Sequence, residues 1–255
     1  MAGVIAPDLP PVVLFDLDDT IVRFTAGQPD CWQLALEQHA RDHADHALLL
    51  AAIRAESSEF WAPPERAFWG RQNMHAARRR IACSALAGHG LSLALCHDIA
   101  DAMTERKEAL VRPFEGALDT LEALRGRGHR LGLLTNGSAE FQRRKLRRFA
   151  LEPLFELLLI EGELGYGKPD RRVFDAALAH FGARASDACM VGDNLEADIA
   201  GAAAAGIATV WHDAHGAGLP PAPSARPDRV IGSVRELLGG TRLEHGFTPS
   251  APVVG

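Results

Sequence analysis

The chain is poor in cysteine and has no long apolar run. Its 255 residues include four cysteines, and no two of them form a Cys-x-x-Cys pair. Scattered cysteines in a chain of this length are typical of reduced thiols in a cytosolic protein and not of a disulfide framework. No apolar run approaches the roughly 18 residues that a membrane-spanning helix needs, and the N-terminus lacks the basic region and apolar core of a signal peptide. We therefore expect a cytoplasmic protein with no membrane partner.

Lysine is also scarce, and the balance of charge is acidic. Lysine occurs only at positions 107, 145 and 168, so arginine carries almost all of the positive charge, and the net charge is -6. A general nucleic-acid binder is normally basic, so no nucleic-acid partner is expected. The basic runs at 78–80 and 143–148 are interleaved with apolar residues and are typical of exposed amphipathic helices. Apolar residues make up 47% of the chain and charged residues 24%, the proportions of an ordinary soluble globular protein.

Strand-like and helix-like segments alternate over most of the chain after residue 112. The predicted strands are 12–15, 130–134, 157–160, 188–191 and 207–211, with a last candidate at 230–231. Helices of about ten residues separate them, a pattern that is typical of a parallel sheet covered by helices on both faces. The sequence therefore predicts an α/β fold with a Rossmann-like, doubly wound parallel sheet.

A different pattern interrupts this alternation between the first and second strands. Residues 24–111 read as helices at 30–41, 44–60, 72–87 and 93–110. A structureless loop of this length is implausible inside a compact domain, so we expect a smaller, inserted α-helical domain. The α/β core then comprises residues 1–23 and 112–240, and residues 241–255 are expected to form a mobile tail.

Four short polar stretches lie at the ends of predicted strands or beside them. They are Asp16–Thr20, Thr135–Gly137, Gly167–Asp170 and Gly192–Asp198. In an open parallel sheet, ligands bind beyond the carboxyl ends of the strands, where the winding direction switches. Each stretch alone is common turn chemistry, but the four together, in this order, indicate one functional site.

The carboxylates of these stretches could hold a cation and take part in covalent chemistry. Asp16 and Asp18 are two residues apart in an extended segment, so both could face the same ligand. Like charges this close repel unless one is protonated or both share a cation. Asp193, followed five residues later by Asp198, adds oxygen ligands that suit a hard cation such as Mg²⁺. A nucleophilic carboxylate, a second carboxylate that moves protons and a magnesium site are parts that phosphoryl transfer through an aspartyl-phosphate requires.

The other two stretches could bind an anion. Thr135, Asn136 and Gly137 combine a hydroxyl group with backbone amides beside a glycine, an arrangement that can form a small anion-binding cup. Lys168 precedes a predicted helix, and Pro169 suits the first turn of that helix. The Lys168 ammonium would therefore lie beside a helix N-terminus, where it can neutralise an anion.

The four stretches resemble the four motifs of the haloacid dehalogenase superfamily. The resemblance covers nearly all of residues 11–240, although the helical insertion matches only by its position and size. That insertion resembles the family's helical cap domain. The stretch Val191–Ile199 is most similar to the branch that contains pyrimidine nucleotidases and acylneuraminate phosphatases.

The resemblance implies a catalytic role for each aspartate of the first motif. Asp16 would be the nucleophile, and Asp18 would be the general acid and base. The phosphate-binding residues would be Thr135, Asn136, Gly137 and Lys168.

The resemblance also implies a Mg²⁺ cofactor. The ion would be held by Asp16, by the backbone carbonyl of Asp18 and by Asp193. Asn194 and Asp198 would support these ligands from outside.

The second aspartate of the first motif favours one reaction class. The dehalogenases of the superfamily lack an acid at the position of Asp18, because a halide leaves without a proton. An alkoxide that leaves a phosphate ester does need a proton, and a placed acid is worth about 10²–10⁴ in rate. We therefore expect a Mg²⁺-dependent phosphatase of a small phosphorylated metabolite, acting as a monomer or homodimer.

Three other functions fit the sequence less well. In a phosphomutase, a second substrate hydroxyl would replace water, and only the inserted domain could decide between the two reactions. A catalytically idle protein that binds a phosphorylated metabolite would be expected to have lost Asp16 or Asp18, and both are present. A dehalogenase is a more distant alternative.

Overall fold

The chain forms two compact units. The computed structural model describes residues 9–25, 27–42 and 45–239. One unit, called the core unit here, comprises Met1–Gly27 and Arg112–Gly255, and the other, the helical unit, comprises Gln28–Val111. The helical unit occupies most of the interval for which the sequence predicts an inserted domain. The predicted tail, 241–255, lies outside the described residues.

The described strands belong to one parallel sheet and one short antiparallel pair. In chain order they are β1 (Val12–Phe15), β2 (Val22–Arg23), β3 (Arg112–Pro113), β4 (Arg130–Thr135), β5 (Leu157–Ile160), β6 (Ala188–Gly192), β7 (Ala208–His212) and β8 (Arg229–Ile231). The sheet has six strands in the order β5-β4-β1-β6-β7-β8, all parallel, and β2 pairs with β3. β1 therefore lies at the centre of the sheet.

The helices fall into two groups that match the two units. Those of the helical unit are α1 (Cys31–His39), α2 (His46–Trp61), α3 (Pro64–Gln72), α4 (Met74–Leu86) and α5 (Leu93–Leu110). Those of the core unit are α6 (Ala117–Gly126), α7 (Ala139–Arg148), α8 (Glu161–Leu164), α9 (Arg171–Phe181) and α10 (Gly201–Ala204), with a π-helix at Leu195–Ala200 and 3₁₀ turns at Glu152–Leu154, Ala185–Asp187 and Val234–Leu238. None of the described helices is long and apolar enough to cross a lipid bilayer.

The central strands of the sheet are buried. All four residues of β1 and all five of β6 are buried, as expected for strands that have helices on both faces. On one face, Val12 and Leu14 pack with Phe174 and Phe181 of α9. This architecture confirms the predicted doubly wound α/β core accompanied by a smaller helical unit.

The helical unit has an apolar core of its own. α4 packs against α5 and α2, and α1 packs against α5 and α2. Leu36, Ile53, Phe60 and Ile81 are fully or almost fully buried at the centre of this unit. A separate core of this kind is what an inserted domain needs to fold as a compact unit.

Two elements differ from the sequence-based expectation. No helix is predicted between 60 and 72, but α3 begins at Pro64, because a proline at the first helical position needs no backbone N–H donor. Val22 and Arg23 pair antiparallel with Pro113 and Arg112. This pairing joins segments about ninety residues apart, so local periodicity carries no signal for it.

Candidate active site

The candidate site lies at the carboxyl end of β1, where the order of the strands switches. β1 is paired with β4 on one side and with β6 on the other, so the chain winds away from it in both directions. The Asp16 N–H donates to the Val191 carbonyl at 2.9 Å and extends the pairing of β1 with β6 by one residue. Asp16 after β1, Thr135 at the end of β4 and Asp193 after β6 therefore share one edge of the sheet.

A buried lysine joins two of the predicted site carboxylates. The Lys168 ammonium lies 2.6 Å from Asp16 Oδ1 and 2.6 Å from Asp198 Oδ1. The side chains of Lys168 and Asp198 are 2% and 1% exposed, and that of Asp16 is 10% exposed. Charges buried this deeply are tolerated only when they are paired, so the three side chains form one electrostatic unit.

The protonation of this cluster is set by burial and by its neighbours. Burial raises the pKa of Asp16 to about 7; the Lys168 ammonium opposes the rise, and the carboxylates of Asp198 and Asp18 add to it. Burial raises the pKa of Asp193 to about 9, and Asp16 and Asp198 add to that rise. For Lys168, burial lowers the pKa, but the two carboxylates more than offset burial and keep the side chain cationic.

The cluster fits a divalent cation with oxygen ligands. One carboxylate oxygen each from Asp16, Asp193 and Asp198 lies within 4.8 Å of the other two. Three ionised carboxylates would exceed the single positive charge of Lys168, and the neighbouring carboxylates add to the rise that burial causes in the pKa values of Asp16 and Asp193. A hard divalent ion would supply the missing positive charge through the ligand type that it prefers. The family resemblance implies an outer, supporting role for Asp198, and one oxygen of its carboxylate lies within this cluster.

Two features of the segment after β6 bring Asp198 into the cluster. Its Oδ2 accepts a hydrogen bond from the Asn194 N–H at 3.0 Å, and the Asn194 side chain caps the following π-helix at the N–H groups of Glu196 and Ala197. A Cβ on Gly192 would lie 2.2 Å from Asp198 Oδ2, so only glycine permits this approach. Asn194 therefore shapes the loop that holds Asp198.

The predicted anion-binding stretch is partly occupied by contacts within the core unit. The Asn136 side chain donates to the Lys168 carbonyl at 2.7 Å and accepts from the Lys168 N–H at 2.9 Å. The Gly137 N–H donates to Glu161 Oε2 at 2.8 Å. The Asn136 side chain thus fixes Lys168 in place, and the Gly137 amide is directed at a carboxylate. The phosphate-binding roles of Thr135, Asn136 and Gly137 stay predictions.

Two side chains that the sequence did not single out contact Asp18. The Lys145 ammonium lies 2.6 Å from both oxygens of the Asp18 carboxylate. Gln142 Nε2 donates to Asp18 Oδ2 at 3.0 Å and to Thr135 Oγ1 at 2.8 Å. The basic run at 143–148 was expected to be exposed, but Lys145 is buried, whereas Arg144 and Arg147 of the same helix are exposed.

The third acidic residue of the first motif has a structural task. The Asp19 carboxylate accepts from the N–H groups of Phe24 and Thr25 at 2.8 and 2.7 Å and from the Thr25 hydroxyl. Its backbone has a φ of 56°, and its carbonyl contacts His212 Nδ1 at 2.9 Å. Burial lowers the pKa of His212, so this imidazole is neutral at pH 7. Asp19 thus anchors the loop that leaves the site.

Comparison with known proteins identifies the family. The family model for haloacid dehalogenase-like hydrolases matches residues 10–206, and the chain belongs to this family. It is 41% identical over 163 residues to a phosphoserine phosphatase of Thermus thermophilus, an alignment that covers 63% of this chain and 64% of that protein. It is 39% identical over 126 residues to the pyrimidine 5'-nucleotidase YjjG of Escherichia coli, covering 49% of this chain and 55% of that protein. The matches thus span just over half to just under two thirds of these curated relatives.

Solved structures of the family have the same fold. The HAD-hydrolase YfnB of Bacillus subtilis, bound to magnesium, superposes with a TM-score of 0.67 at 24% identity, covering 90% of this chain and 97% of that one. A 2-haloacid dehalogenase of Pseudomonas syringae superposes with a TM-score of 0.57 at 30% identity, covering the same 90% and 97%. Phosphatases and dehalogenases share this fold, so the reaction has to be argued from the residues of the site.

Proposed function

We propose that this protein is a Mg²⁺-dependent phosphatase that acts on a small phosphorylated metabolite through an aspartyl-phosphate. One observation carries the proposal: the Asp16 carboxylate is paired with a buried lysine in a cluster that fits a divalent cation, and a second carboxylate, Asp18, is held by other partners. Hydrolysis of a phosphate ester needs two separate carboxylates, because one group must attack phosphorus and another must move a proton.

The first step forms a covalent intermediate on Asp16. An oxygen of the Asp16 carboxylate attacks phosphorus, the bond from phosphorus to the ester oxygen breaks, and Asp18 gives a proton to the departing alcohol. Lys168 supplies positive charge beside the attacking carboxylate, where negative charge develops on the phosphoryl oxygens. Mg²⁺, held by Asp16, Asp193 and Asp198 with the Asp18 carbonyl as a further ligand, would contribute charge neutralisation when bound.

The second step returns Asp16 to its starting form. Asp18, now deprotonated, takes a proton from a water molecule, and the oxygen of that water attacks phosphorus. The bond between phosphorus and the Asp16 oxygen breaks, and inorganic phosphate leaves. Each proton that Asp18 gives up in the first step is thus regained in the second, so the cycle balances without a further reactant.

Asp18 distinguishes this proposal from a dehalogenase. A halide needs no proton when it leaves, so a dehalogenase gains nothing from a carboxylate at this position. Here the Asp18 carboxylate is held by a lysine and a glutamine, which supports a role for it in proton transfer. The names of the curated relatives, a phosphoserine phosphatase and a pyrimidine 5'-nucleotidase, agree with phosphate-ester hydrolysis.

The proposal predicts release of inorganic phosphate that depends on Mg²⁺. Purified protein would be incubated with a panel of nucleotide, sugar and acid monophosphates, with Mg²⁺ or with EDTA, and phosphate would be quantified. We expect turnover of at least one ester with Mg²⁺ and loss of that turnover in EDTA, since Asp16 then lacks the charge that offsets its repulsion from phosphate.

The alternatives are separated by analysing all products and ester binding in the same incubations, with a 2-haloacid added to the panel. Isomerised phosphate esters without net release of phosphate would identify a phosphomutase. Binding of an ester without any product would identify an idle binding protein. Chloride release from a 2-haloacid together with no phosphate release from any ester would reject the proposal in favour of a dehalogenase.

A second prediction concerns stability and needs no substrate. Mg²⁺ at 100 times its dissociation constant is expected to stabilise the folded protein by about 2.7 kcal/mol, detected as a rise in the midpoint of thermal unfolding. Asp193→Asn should abolish most of this rise, because it removes one ligand of the cluster. Asp175→Asn, which changes an exposed carboxylate on α9, should leave the rise intact. An equal rise in both variants would contradict the assignment of Asp193.

A further inference from the structure

Two of the three lysines of this chain are buried against the aspartates of the first motif. Lys168 pairs with Asp16. Lys145 reaches Asp18 from α7 with both contacts at 2.6 Å, and its ammonium also lies 4.6 Å from the centre of the Phe24 ring. The Lys145 side chain is 11% exposed, compared with 26% for Asp18.

Gln142 completes the contacts of Asp18. Its Nε2 lies 3.0 Å from Asp18 Oδ2, 2.8 Å from Thr135 Oγ1 and 2.6 Å from the Asn136 carbonyl. Turning the amide over would place Oε1, which can only accept, against the carboxylate and carbonyl oxygens. The amide nitrogen is therefore the end that faces Asp18. Gln142 therefore connects Asp18, at the end of β1, to Thr135, at the end of β4.

The helix that carries both side chains is fixed at its start. α7 begins after Ser138, whose hydroxyl accepts from the Phe141 N–H at 3.3 Å. Gln142 and Lys145 are three residues apart and lie on the same side of the helix as Leu146, which is fully buried. The helix thus presents two polar side chains from its buried face. Buried polar side chains need partners, and Asp18 is a partner of both.

We propose that Lys145 and Gln142 are positioning residues that hold the Asp18 carboxylate in the place from which it gives its proton to the leaving alcohol. Lys145 fixes both oxygens of Asp18, and Gln142 sets their position relative to Thr135. The proposal rests on the proposed phosphatase function. In the first step, it assigns to these two residues an effect on proton transfer to the leaving alcohol and not on the attack of Asp16 at phosphorus.

The test compares two esters that differ in their need for a proton. The nitrophenolate of p-nitrophenyl phosphate departs without protonation. The alkoxide of an alkyl phosphate needs a proton as it leaves. In Lys145→Met, kcat/KM for the alkyl phosphate that wild type hydrolyses best is expected to fall roughly 10- to 100-fold. The fall in kcat/KM for p-nitrophenyl phosphate should stay below about threefold, because kcat/KM reports the steps up to formation of the aspartyl-phosphate, and this leaving group needs no proton in them. Gln142→Leu should act in the same direction.

Arg147→Met provides the matched control. Arg147 is a cation on the same helix, two residues beyond Lys145, and it is exposed. The control should retain wild-type kcat/KM for both esters. Equal losses on the two esters in Lys145→Met, together with a lower midpoint of thermal unfolding, would mean a structural role and would overturn the proposal. Wild-type kcat/KM for the alkyl phosphate in Lys145→Met would overturn it as well.

A crystal structure of the Lys145→Met protein provides a readout that is independent of turnover. We expect the Asp18 carboxylate to leave its wild-type position or to occupy more than one rotamer. An unchanged Asp18 would reject the positioning role. If wild type hydrolyses neither ester, the phosphatase proposal fails while this structural comparison still decides whether Lys145 positions Asp18.

Discussion

An Asp16→Asn protein is expected to lose turnover by a factor on the order of 10⁴ or more while keeping its fold. The amide cannot attack phosphorus, and the proposal assigns the neighbouring carboxylates to other tasks, Asp193 and Asp198 to the cation and Asp18 to proton transfer. The measurement is phosphate release at saturating substrate and Mg²⁺, with wild type and Asp16→Asn prepared in parallel.

Stability measurements separate loss of the nucleophile from loss of the fold. Burial raises the pKa of Asp16 to about 7, so the folded state disfavours the ionised form relative to the unfolded chain. This cost is absent well below pH 3.8, grows as the pH rises, and is at its full size above about pH 7. Asp16→Asn removes it, so the variant should unfold at no lower denaturant concentration than wild type at pH 8 without metal. Turnover above about 1% of wild type in this folded variant would exclude Asp16 as the nucleophile.

The sequence predicts much of this fold because the signals are local. β1, β5 and α5 begin and end at the predicted residues, since each is a strongly apolar or periodic segment. The position of the site follows from the same alternation. Once the strands are parallel, their carboxyl ends share one edge, and the polar stretches that follow β1 and β6 must meet there.

Contacts between distant segments carry no such signal. The pairing of β2 with β3 joins the two ends of the interval that contains the helical unit, and nothing in Val22 or Arg23 specifies it. The Gly137 amide was expected to face an anion, but the distant Glu161 accepts its hydrogen bond. Charge content also misleads: a run of basic residues predicts an exposed helix, and Lys145 within that run is buried. A signal was present, since Gln142 and Lys145 are spaced with Leu146 as one helical face.

A Lys168→Met protein is expected to lose both turnover and stability. The substitution leaves Asp16 and Asp198 buried without their cation, and breaking a buried pair by removing one partner typically costs about 3–5 kcal/mol. The free energy of unfolding would be measured by chemical denaturation at pH 7 in EDTA, so that metal binding does not offset the loss. Phosphate release with Mg²⁺ would be measured in the same preparations. A free energy of unfolding within about 0.5 kcal/mol of wild type would contradict the role assigned to the ion pair.

The double variant Lys168→Met/Asp198→Asn makes this prediction sharper, because the two changes should not add. Asp198 is 1% exposed, so without Lys168 its carboxylate would be buried without its cation. Neutralising it should therefore restore part of the stability that Lys168→Met loses, so that the double variant unfolds at a higher denaturant concentration than Lys168→Met alone. Turnover should stay lost in both, since Lys168 contributes charge to the reaction as well as to the fold. Equal stability of the single and double variants would mean that Lys168 does not offset the cost of burying the Asp198 carboxylate. Recovery of turnover in the double variant would show that the reaction does not need Lys168.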